Sequence, residues 1–424
     1  MLFARNHYLQ QIIDRMWDGQ VKVITGIRRC GKSVLLFELF NNYLLNNKTP
    51  SENIIRIELD KRKNAKFRNP IRLSEYIENL VTNSKGKYYV FIDEVQYCKT
   101  VPDTEEANVT VNIYDMLNEL KGYKNLDVYV TGSNSRMLSR DIETEFRGRA
   151  SQIHIFPLSF KEFHSIYNGD VKEDLELYML YGGMPHLVNL KNSNQKKDYL
   201  SSLFDEVYLK DIIERNSLGR RDVLEDILDY LSSSISSLTN PNNITNSLNS
   251  IKHSNVSINT VTNYLKYIQD SFLINEVKRY DVKGKRYFDY PNKYYYTDVG
   301  LRNARLNFRQ FDSGHIMENI IYNELILRGY SVDIGIVTDR RNQNNVQKEI
   351  DFVVNFGDKR VYIQSSYEIN SLEKQNNELD SLRLTKDFFK KIIIQNDIPE
   401  SYSDESGILH CKLIDFLLND YILF

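Results

Sequence analysis

The run GIRRCGKS, from Gly26 to Ser33, has the residue types and the spacing needed to hold a chain of phosphates. Its two glycines permit backbone angles that other residues avoid, so successive N–H groups can turn inward towards an anion. Lys32 can reach the β- and γ-phosphates of a nucleotide, and the Ser33 hydroxyl can bind Mg²⁺. We therefore predict an ATP and Mg²⁺ site lined by this loop: Gly26, Ile27, Arg28, Arg29, Cys30, Gly31, Lys32, Ser33 and Val34.

The residues on either side of the loop have the pattern that such a site requires. Val21–Ile27 is an apolar run that predicts a buried strand, and Ser33–Leu45 has the periodicity of an amphipathic helix. The N-terminus of that helix adds a favourable field for an anion. G-x-G-x-x-G is absent, which excludes a dinucleotide-binding loop. We expect the side chains of Arg28 and Arg29 to point away from the phosphates, at the surface or at an interface.

A pair of carboxylates ends a second apolar run, VFIDEVQ. Four apolar residues place Asp93 and Glu94 at the carboxyl end of a buried strand, where open α/β sheets hold their ligands. Asp93 would hold Mg²⁺ through water, and Glu94 would orient and deprotonate the attacking water. The alternative is that both carboxylates only terminate a strand.

Two further stretches contain polar residues suited to phosphoryl transfer. In VTGSNSRML, Thr131, Ser133 and Asn134 end another strand and could contact the γ-phosphate or the water, although polar strand ends are also common without a function. In EFRGRASQ, Arg149 or Arg147 could neutralise the charge that develops at the γ-phosphate of a neighbouring subunit. The alternative for both arginines is a solvated surface position.

These residues need a parallel sheet to bring them together, and the first 165 residues have the alternation of short apolar runs and helical patterns that predicts one. We expect five strands, at 21–27, 53–59, 88–95, 127–133 and 151–160. Helices are expected from residue 161 to about 275, with an asparagine-rich loop or linker at Asn240–Asn249. A tyrosine-rich hairpin follows, and an α/β pattern resumes at His315.

Composition limits the classes of function. The 424 residues carry a net charge of -2 and a pI near 6.4, so any nucleic-acid site must be a local patch. No apolar run approaches the length of a membrane span, and no signal peptide is expected. The three cysteines have no metal-ligand spacing. A reduced, cytoplasmic protein is the expectation.

The segment from Val256 to Phe288 has the pattern of a helix-turn-helix with a wing. Its second helix would bury Val261, Leu265 and Ile268 on one face. Polar residues suited to groove contacts would lie on the other face, namely Asn259, Thr262, Asn263 and Lys266. Basic residues would line the wing and meet phosphates, namely Lys278, Arg279, Lys283, Lys285 and Arg286. The alternative is that this region serves as a lid or a subunit interface.

Near the C-terminus, EIDFVV and VYIQSS pair an Asp strand with a second strand, as in nucleases of the restriction-endonuclease fold. Those nucleases carry Glu-x-Lys on the second strand, whereas this chain has Gln364 and Ser366. Glu318 and Asp351 would remain as carboxylates, but the lysine that activates the water is missing. Lys359 or Arg360 could replace it from the turn, which the sequence does not decide. We therefore expect a nuclease fold without nuclease activity.

The stretches GIRRCGKSVLL, VFIDEVQ, TGSNSRMLS, FRGRASQIHIFPLSFKEF, YGGMPHLV, YYYTDVGLRNA, GHIMENIIYNELILRGY and EIDFVV span nearly the whole chain. In this order they resemble a family of bacterial and archaeal AAA+-like ATPases with a C-terminal winged-helix region and a restriction-endonuclease-like domain. The resemblance implies an α/β fold with a P-loop AAA+-like domain at 1–165, a helical lid and winged helix at 166–305, and the nuclease-like domain at 306–424.

The same resemblance implies roles for individual residues. The ATP site would be built from the loop with Asp93 and Glu94, the sensor would be Ser133 or Asn134, and a neighbouring subunit would contribute Arg149. Family members begin with an Arg a few residues before a Tyr, here Arg5 and Tyr8. Related ATPases use the segment ahead of the first strand to cover the adenine, so both residues are candidates for that contact, although packing of an N-terminal helix accounts for them equally well.

Three functions fit these residues. The first is an oligomeric ATPase whose nucleotide state controls a C-terminal module that binds DNA or protein. The second is a nucleotide-gated adaptor with negligible turnover, and the third is an ATP-dependent nuclease. The presence of Glu94 favours the first over the second, and the sequence QSS at Gln364–Ser366 argues against the third.

Overall fold

The structure is a computed structural model that describes residues 3–82, 84, 86–104, 106, 108–133, 150–339, 346–368 and 372–423. The chain forms two compact units. Unit 1 comprises Met1–Pro157 with Asp270–Phe272, and unit 2 comprises Leu158–Gln269 with Leu273–Phe424. Within the described ranges, no helix is both long enough and apolar enough to cross a membrane.

Unit 1 is built on a five-stranded sheet in which every pairing is parallel. The order is β2–β3–β6–β1–β7, and a separate two-stranded ribbon is formed by β4 and β5. The strands are β1 (Val21–Gly26), β2 (Ile54–Glu58), β3 (Tyr88–Asp93), β4 (Val101–Pro102), β5 (Thr110–Val111), β6 (Leu126–Gly132) and β7 (Ala150–Ile155). The predicted parallel sheet and its five strands are confirmed. Because β6 lies between β1 and β3, its carboxyl end separates the phosphate-binding loop from Asp93.

Helices cover the faces of this sheet. Asn69 begins one of them, since its side chain accepts hydrogen bonds from Ile71 and Arg72 backbone N–H groups and Pro70 occupies the first turn. The α-helices are Asn6–Ile13, Lys32–Val34, Asn41–Asn46, Pro70–Val81 and Ile113–Leu120, with a π-helical stretch at Leu35–Phe40 and 3₁₀ turns at Ser51–Asn53, Arg62–Arg68 and Val95–Tyr97. The helix that leaves the loop is therefore continuous from Lys32 to Asn46.

Helices dominate the first part of unit 2, as predicted. From residue 158 onwards, the described α-helices are Phe160–Tyr167, Val171–Tyr181, Ser193–Ser202, Lys210–Asn216, Arg221–Ser233, Pro241–Ile251, Ile258–Asp270, Val299–Arg305, Ser313–Leu327, Leu372–Arg383 and Leu413–Leu418. A 3₁₀ turn lies at Pro185–Asn189 and a π-helical stretch at Leu203–Leu209.

The expectation of a loop at Asn240–Asn249 is wrong, because this segment lies in the helix Pro241–Ile251. The Asn240 side chain caps it by accepting a hydrogen bond from Asn243 N at 2.7 Å. Ile244 and Leu248, four residues apart, are buried. The asparagines thus begin and line a helix whose few apolar residues fall on one face.

Unit 2 also contains an eight-stranded mixed sheet, in the order β14–β15–β13–β12–β11–β10–β8–β9. Its strands are β8 (Ile274–Asp281), β9 (Arg286–Tyr296), β10 (Ser331–Asp339), β11 (Val346–Phe356), β12 (Lys359–Ser366), β13 (Lys390–Gln395), β14 (Tyr402–Ser403) and β15 (Leu409–Lys412). Strand β8 pairs in parallel with β10, so the hairpin predicted as a wing shares a sheet with the C-terminal strands. The domain division predicted after residue 305 consequently falls inside unit 2.

Candidate functional site

The phosphate-binding loop leaves β1 through a turn that requires glycine. Gly26 has φ 146°, and a Cβ atom there would lie 2.2 Å from the Ile155 carbonyl oxygen. Gly31 has φ 105° and precedes the first helical residue, Lys32. The ammonium of Lys32 is folded back inside the loop, where Nζ donates to the carbonyl oxygens of Gly26 at 3.0 Å and Ile27 at 3.1 Å.

The Lys32 ammonium makes no ion pair in the described part of the chain, and it acts on the Asp93 carboxyl from a distance, opposing the rise in pKa that burial causes there. The side chain is 3% exposed, and within the described ranges no carboxylate lies within ion-pair distance of it. His154 on β7 responds to this charge: burial lowers its pKa to about 4, and repulsion by Lys32 contributes to the shift. A buried cation that has only neutral carbonyl partners makes the loop suitable for an anion.

Asp93 lies at the end of β3 and faces the first helical turn after the loop. The Ser33 hydroxyl donates to its carboxylate at 2.9 Å, and the Thr131 hydroxyl on β6 also donates to it. Burial raises the pKa of Asp93, although the hydrogen bonds from Thr131 and Ser33 oppose the increase. The structure therefore brings together Ser33 and Asp93, the two residues predicted to hold Mg²⁺, and the metal contact itself stays a prediction.

Two acidic residues that sequence reasoning did not select lie beside Asp93. Oxygen atoms from the carboxylates of Glu58, Asp60 and Asp93 all lie within 4.8 Å of one another. In the β2–β3 ladder, Glu58 is directly opposite Asp93, which explains the proximity. Together with the Ser33 hydroxyl, this set offers the oxygen ligands that Mg²⁺ prefers, so the residues present fit a magnesium ion. Both residues lie at the acidic end of the apolar run NIIRIELD, but the sequence does not show that this run pairs with β3 and so places them beside Asp93.

Glu94 is held in a specific orientation. It has φ 55°, in the left-handed region, and its backbone N–H donates to Thr131 Oγ1 at 3.0 Å. Its carboxylate accepts from Gln96 Nε2 and from the Ser133 hydroxyl at 3.4 Å. Gln96 was not selected from the sequence, and nothing in its spacing marked it.

The two loop arginines differ in their surroundings. Arg29 is exposed, with φ 62°, as expected of a surface residue. Arg28 is half-buried, and its Nε donates to Ser133 Oγ at 3.3 Å. The Arg28 side chain therefore reaches the end of β6, and the expectation of a surface or interface position for Arg28 stays a prediction.

Arg5 and Tyr8 lie beside the phosphate-binding loop and the end of β7. Arg5 donates to the carbonyl oxygens of Cys30 at 3.2 Å and Phe156 at 2.9 Å, and its guanidinium lies 4.6 Å from the centre of the Tyr8 ring. The Phe156 N–H donates to the Tyr8 hydroxyl at 3.2 Å. These contacts join the N-terminal helix to the loop, and the adenine contact stays a prediction.

The remaining predicted residues of this site, Asn134, Arg147 and Arg149, lie outside the described residues.

In unit 2, the residues predicted for the nuclease-like centre line one cleft of about 500 Å³, which contains Glu318, Asp351, Gln364 and Ser366. A lysine that was not selected from the sequence, Lys293 on β9, lies among the carboxylates. Lys359 and Arg360 were the residues suggested to replace the missing lysine of the second strand. Lys359 is exposed, and Arg360 Nε donates to Asn355 Oδ1 at 2.9 Å.

The predicted recognition helix and wing have the expected exposure. Val261, Leu265 and Ile268 are buried. The polar residues of the opposite face and most of the basic residues of the hairpin are exposed, namely Asn259, Thr262, Asn263, Lys266, Lys278, Lys283, Lys285 and Arg286. Contact with DNA stays a prediction.

Comparisons with known proteins place this geometry in a family. Residues 18–164 match the family described as AAA domain, and residues 172–312 match a domain of unknown function (DUF8612). An uncharacterised protein of Haemophilus influenzae is 32% identical over 422 residues, covering 98% of this chain and 99% of that protein. An uncharacterised protein of Methanocaldococcus jannaschii is 28% identical over 379 residues, covering 85% of this chain and 78% of that protein.

Among solved structures, the Aeropyrum pernix ORC2 protein, in ADPNP and ADP complexes, is 12% identical with a TM-score of 0.38. The match covers 64% of this chain and 85% of that one. A likeness of this size carries no argument about function. The match to the Haemophilus influenzae protein runs the length of both chains, so this chain belongs to the same family as that protein, with an AAA domain at its N-terminal end.

Proposed function

We propose that this chain binds ATP with Mg²⁺ and hydrolyses it to ADP and phosphate, and that its nucleotide state controls unit 2 as a module that binds DNA or protein. One observation carries the proposal: Lys32, Ser33, Asp93 and Glu94 lie together at the carboxyl edge of a single parallel sheet. This is the edge at which open α/β sheets hold ligands.

Each residue has a role that follows from its contacts. Lys32, folded against two carbonyl oxygens, would turn its ammonium to the β- and γ-phosphates. Ser33 and Asp93, with Glu58 and Asp60 nearby, would hold Mg²⁺. When bound, the metal neutralises the charge that develops on the phosphate oxygens.

Glu94 would act as the general base. Its carboxylate accepts a proton from a water molecule as the water oxygen bonds to the γ-phosphorus, and the bond to the bridging oxygen breaks to release ADP. Hydrogen bonds from Gln96 and Ser133 would fix the orientation of the carboxylate. Ser133 or Asn134 would report the state of the γ-phosphate.

An arginine from a neighbouring subunit would complete the site in a homo-oligomer. Arg149 is the candidate for this role and Arg147 is the next. An arginine that acts in trans can be tested by mixing Arg149→Ala protein with Lys32→Ala protein, because some interfaces then pair an intact loop with an intact arginine. Recovery of turnover in the mixture supports the role, whereas full activity of Arg149→Ala alone excludes it.

A second candidate function, the nucleotide-gated adaptor with negligible turnover, is favoured by one observation. Gln96 and Ser133 both donate to Oε2 of the Glu94 carboxylate, so one of its two oxygens is already held within the protein. Tight ATP binding without measurable phosphate release in the unmodified protein would select this function.

The experiment that tests the proposal is ATP turnover of Glu94→Gln. Loss of the base is expected to lower turnover about 100-fold or more while ATP binding is retained. The matched control is Glu75→Gln, on the exposed face of helix Pro70–Val81, which is expected to leave turnover unchanged. Turnover of Glu94→Gln at the unmodified rate would show that Glu94 is not the base.

A further inference from the structure

A short turn after the predicted recognition helix belongs to unit 1, although the chain on both sides of it belongs to unit 2. The turn is Asp270–Phe272, between Gln269 and Leu273 of unit 2. Helix Ile258–Asp270 ends at its first residue, and β8 begins at Ile274, two residues after its last. The chain therefore enters unit 1 between the helix and the hairpin of the predicted winged helix and then returns to unit 2.

Phe272 is the residue of this turn that packs its ring against the sheet of unit 1. It is 8% exposed, and the centre of its ring lies 4.8 Å from the centre of the His154 imidazole on β7. The ring of Phe156 lies 4.6 Å from the same imidazole. Phe272 has φ 60°, in the left-handed region that a bulky side chain rarely adopts. Packing of the ring against His154 offsets the cost of this backbone conformation.

His154 in turn contacts the base of the phosphate-binding loop. In the β1–β7 ladder it is opposite Thr25, directly before the loop, and Thr25 Oγ1 lies 3.2 Å from His154 Nδ1, within hydrogen-bond distance. The next pair in the ladder is Gly26 and Ile155, where a Cβ atom on the glycine would lie 2.2 Å from the Ile155 carbonyl oxygen. Because the interior is close-packed, a displacement of β7 at this point must move the start of the loop.

We propose that His154 and Phe272 are positioning residues for the phosphate-binding loop, and that the turn Asp270–Phe272 couples ATP affinity to the conformation of helix Ile258–Asp270. The inference rests on the proposed function, since it assigns a regulation to the same ATP site. Lys32 donates to the Gly26 carbonyl oxygen at the base of the loop, and ATP would draw this ammonium to its phosphates. The base of the loop then has different contacts in the two states, which is the condition for coupling to a second region.

The test measures binding of ADPNP, a non-hydrolysable ATP analogue, to the full chain by isothermal titration calorimetry. Phe272→Gly is expected to weaken binding about 10-fold, because the ring is lost while glycine adopts the left-handed backbone without strain. Phe272→Tyr retains the ring and should bind ADPNP as the unmodified protein does. The matched control is Phe388→Gly, at a fully exposed position of unit 2, which should change nothing.

Coupling acts in both directions, so ADPNP should slow amide hydrogen exchange in helix Ile258–Asp270. This protection is expected in the unmodified protein and should be lost in Phe272→Gly. A purely structural role for the ring predicts a lower free energy of unfolding, with ADPNP affinity and protection unchanged. If Phe272→Gly does not fold, His154→Leu replaces it, with the same loss of affinity expected because the contact with Thr25 is removed.

The outcomes separate this inference from the proposed function. Unchanged or tighter ADPNP binding in folded Phe272→Gly, or in His154→Leu where it takes its place, would overturn the positioning role. Equal hydrogen exchange of the helix with and without ADPNP in the unmodified protein would overturn the coupling. Failure of the unmodified protein to bind ADPNP would overturn the proposed ATP site, and the inference with it.

Discussion

Each unit of this protein places a buried lysine at its candidate site, and the two lysines differ in what surrounds them. Lys32 in unit 1 and Lys293 in unit 2 are both 3% exposed. Lys32 donates to two neutral carbonyl oxygens, whereas Lys293 is paired with Glu318 and Glu349. The same ammonium group therefore has only neutral hydrogen-bond partners at one site and is paired with carboxylates at the other.

The comparison shows that the partners of a lysine, more than the lysine itself, decide which ligand a site suits. An ammonium that has only carbonyl partners retains its charge for a phosphate. An ammonium surrounded by carboxylates acts as their internal counter-ion. The pKa of Lys293 supports this view: burial lowers it, but attraction by Glu318, Asp351 and Glu349 raises it above the ordinary value.

The largest effect on stability is expected from Lys293→Met. Removal of one partner from a buried ion-pair cluster leaves the carboxylates unpaired and costs about 3–5 kcal/mol of the free energy of unfolding. Urea unfolding monitored by circular dichroism measures this loss, and Lys283→Met on the exposed hairpin is the control, with a change within about 0.5 kcal/mol. If Lys293→Met costs less than about 1 kcal/mol, Lys293 is not the counter-ion of the cluster.

Lys32→Met should show the opposite pattern. ATP affinity is expected to fall by about 2–5 kcal/mol, because a charged partner of the phosphates is lost. The free energy of unfolding should hardly change, since Lys32 has no carboxylate partner in the described structure that would be left unpaired. Calorimetric ATP binding and urea unfolding are the measurements, with Lys48→Met at an exposed position as the control. Normal ATP binding by Lys32→Met would remove the loop from the proposed site.

The two sites also differ in how far the sequence predicts them. The phosphate-binding loop is a contiguous motif, and the parallel strands β1 and β3 end at the same edge of the sheet on either side of β6, so Lys32, Ser33 and Asp93 could be selected from spacing alone. Lys293 precedes Glu318 by 25 residues and belongs to a hairpin whose place in the sheet depends on long-range pairing with β10. No local sequence pattern predicts a contact of this kind.

Gln96, Glu58 and the capping asparagine Asn240 were missed for related reasons. Gln96 is recognised only through its hydrogen bond to Glu94, and Glu58 through its register with Asp93. Asn240 belongs to a residue type that is common in loops and equally favoured at the start of a helix. Only Glu58 depends on a partner distant in the sequence; Gln96 and Asn240 bond to residues two and three positions away, and their residue types alone did not predict those bonds.

A smaller effect is expected at His154, whose pKa responds to the charge of Lys32. Burial is the larger cause of its pKa of about 4, and repulsion by Lys32 is the smaller. Lys32→Met should therefore raise this pKa by less than about one unit, as measured by NMR titration of the imidazole. Because the pKa lies below the ordinary 6.5, protonation of the unfolded chain lowers the free energy of unfolding as pH falls from 6.5 to about 4. No change in the pKa would show that the two groups do not interact.

The smallest effect is expected on DNA. Linear or supercoiled DNA incubated with the unmodified protein and Mg²⁺ or Mn²⁺ should stay uncut, with or without ATP. Ser366 cannot place a positive charge beside an attacking water, and the Lys293 ammonium is engaged by Glu318 and Glu349 at 2.7 Å each. Gln364 supplies a neutral amide, with its Oε1 atom accepting a hydrogen bond from Ser381 Oγ at 3.3 Å.

Restoring the missing groups tests whether the cleft is otherwise complete. Gln364→Glu combined with Ser366→Lys should produce metal-dependent cutting if the remaining carboxylates hold a metal in a productive place. The additional change Asp351→Ala should abolish that cutting and leave ATP turnover as it was, because the nucleotide site lies in unit 1. Cutting of DNA by the unmodified protein, lost in Asp351→Ala, would contradict the expectation. It would mean that Lys293, although bound to two carboxylates, still serves the reaction from β9 in place of the absent lysine of β12.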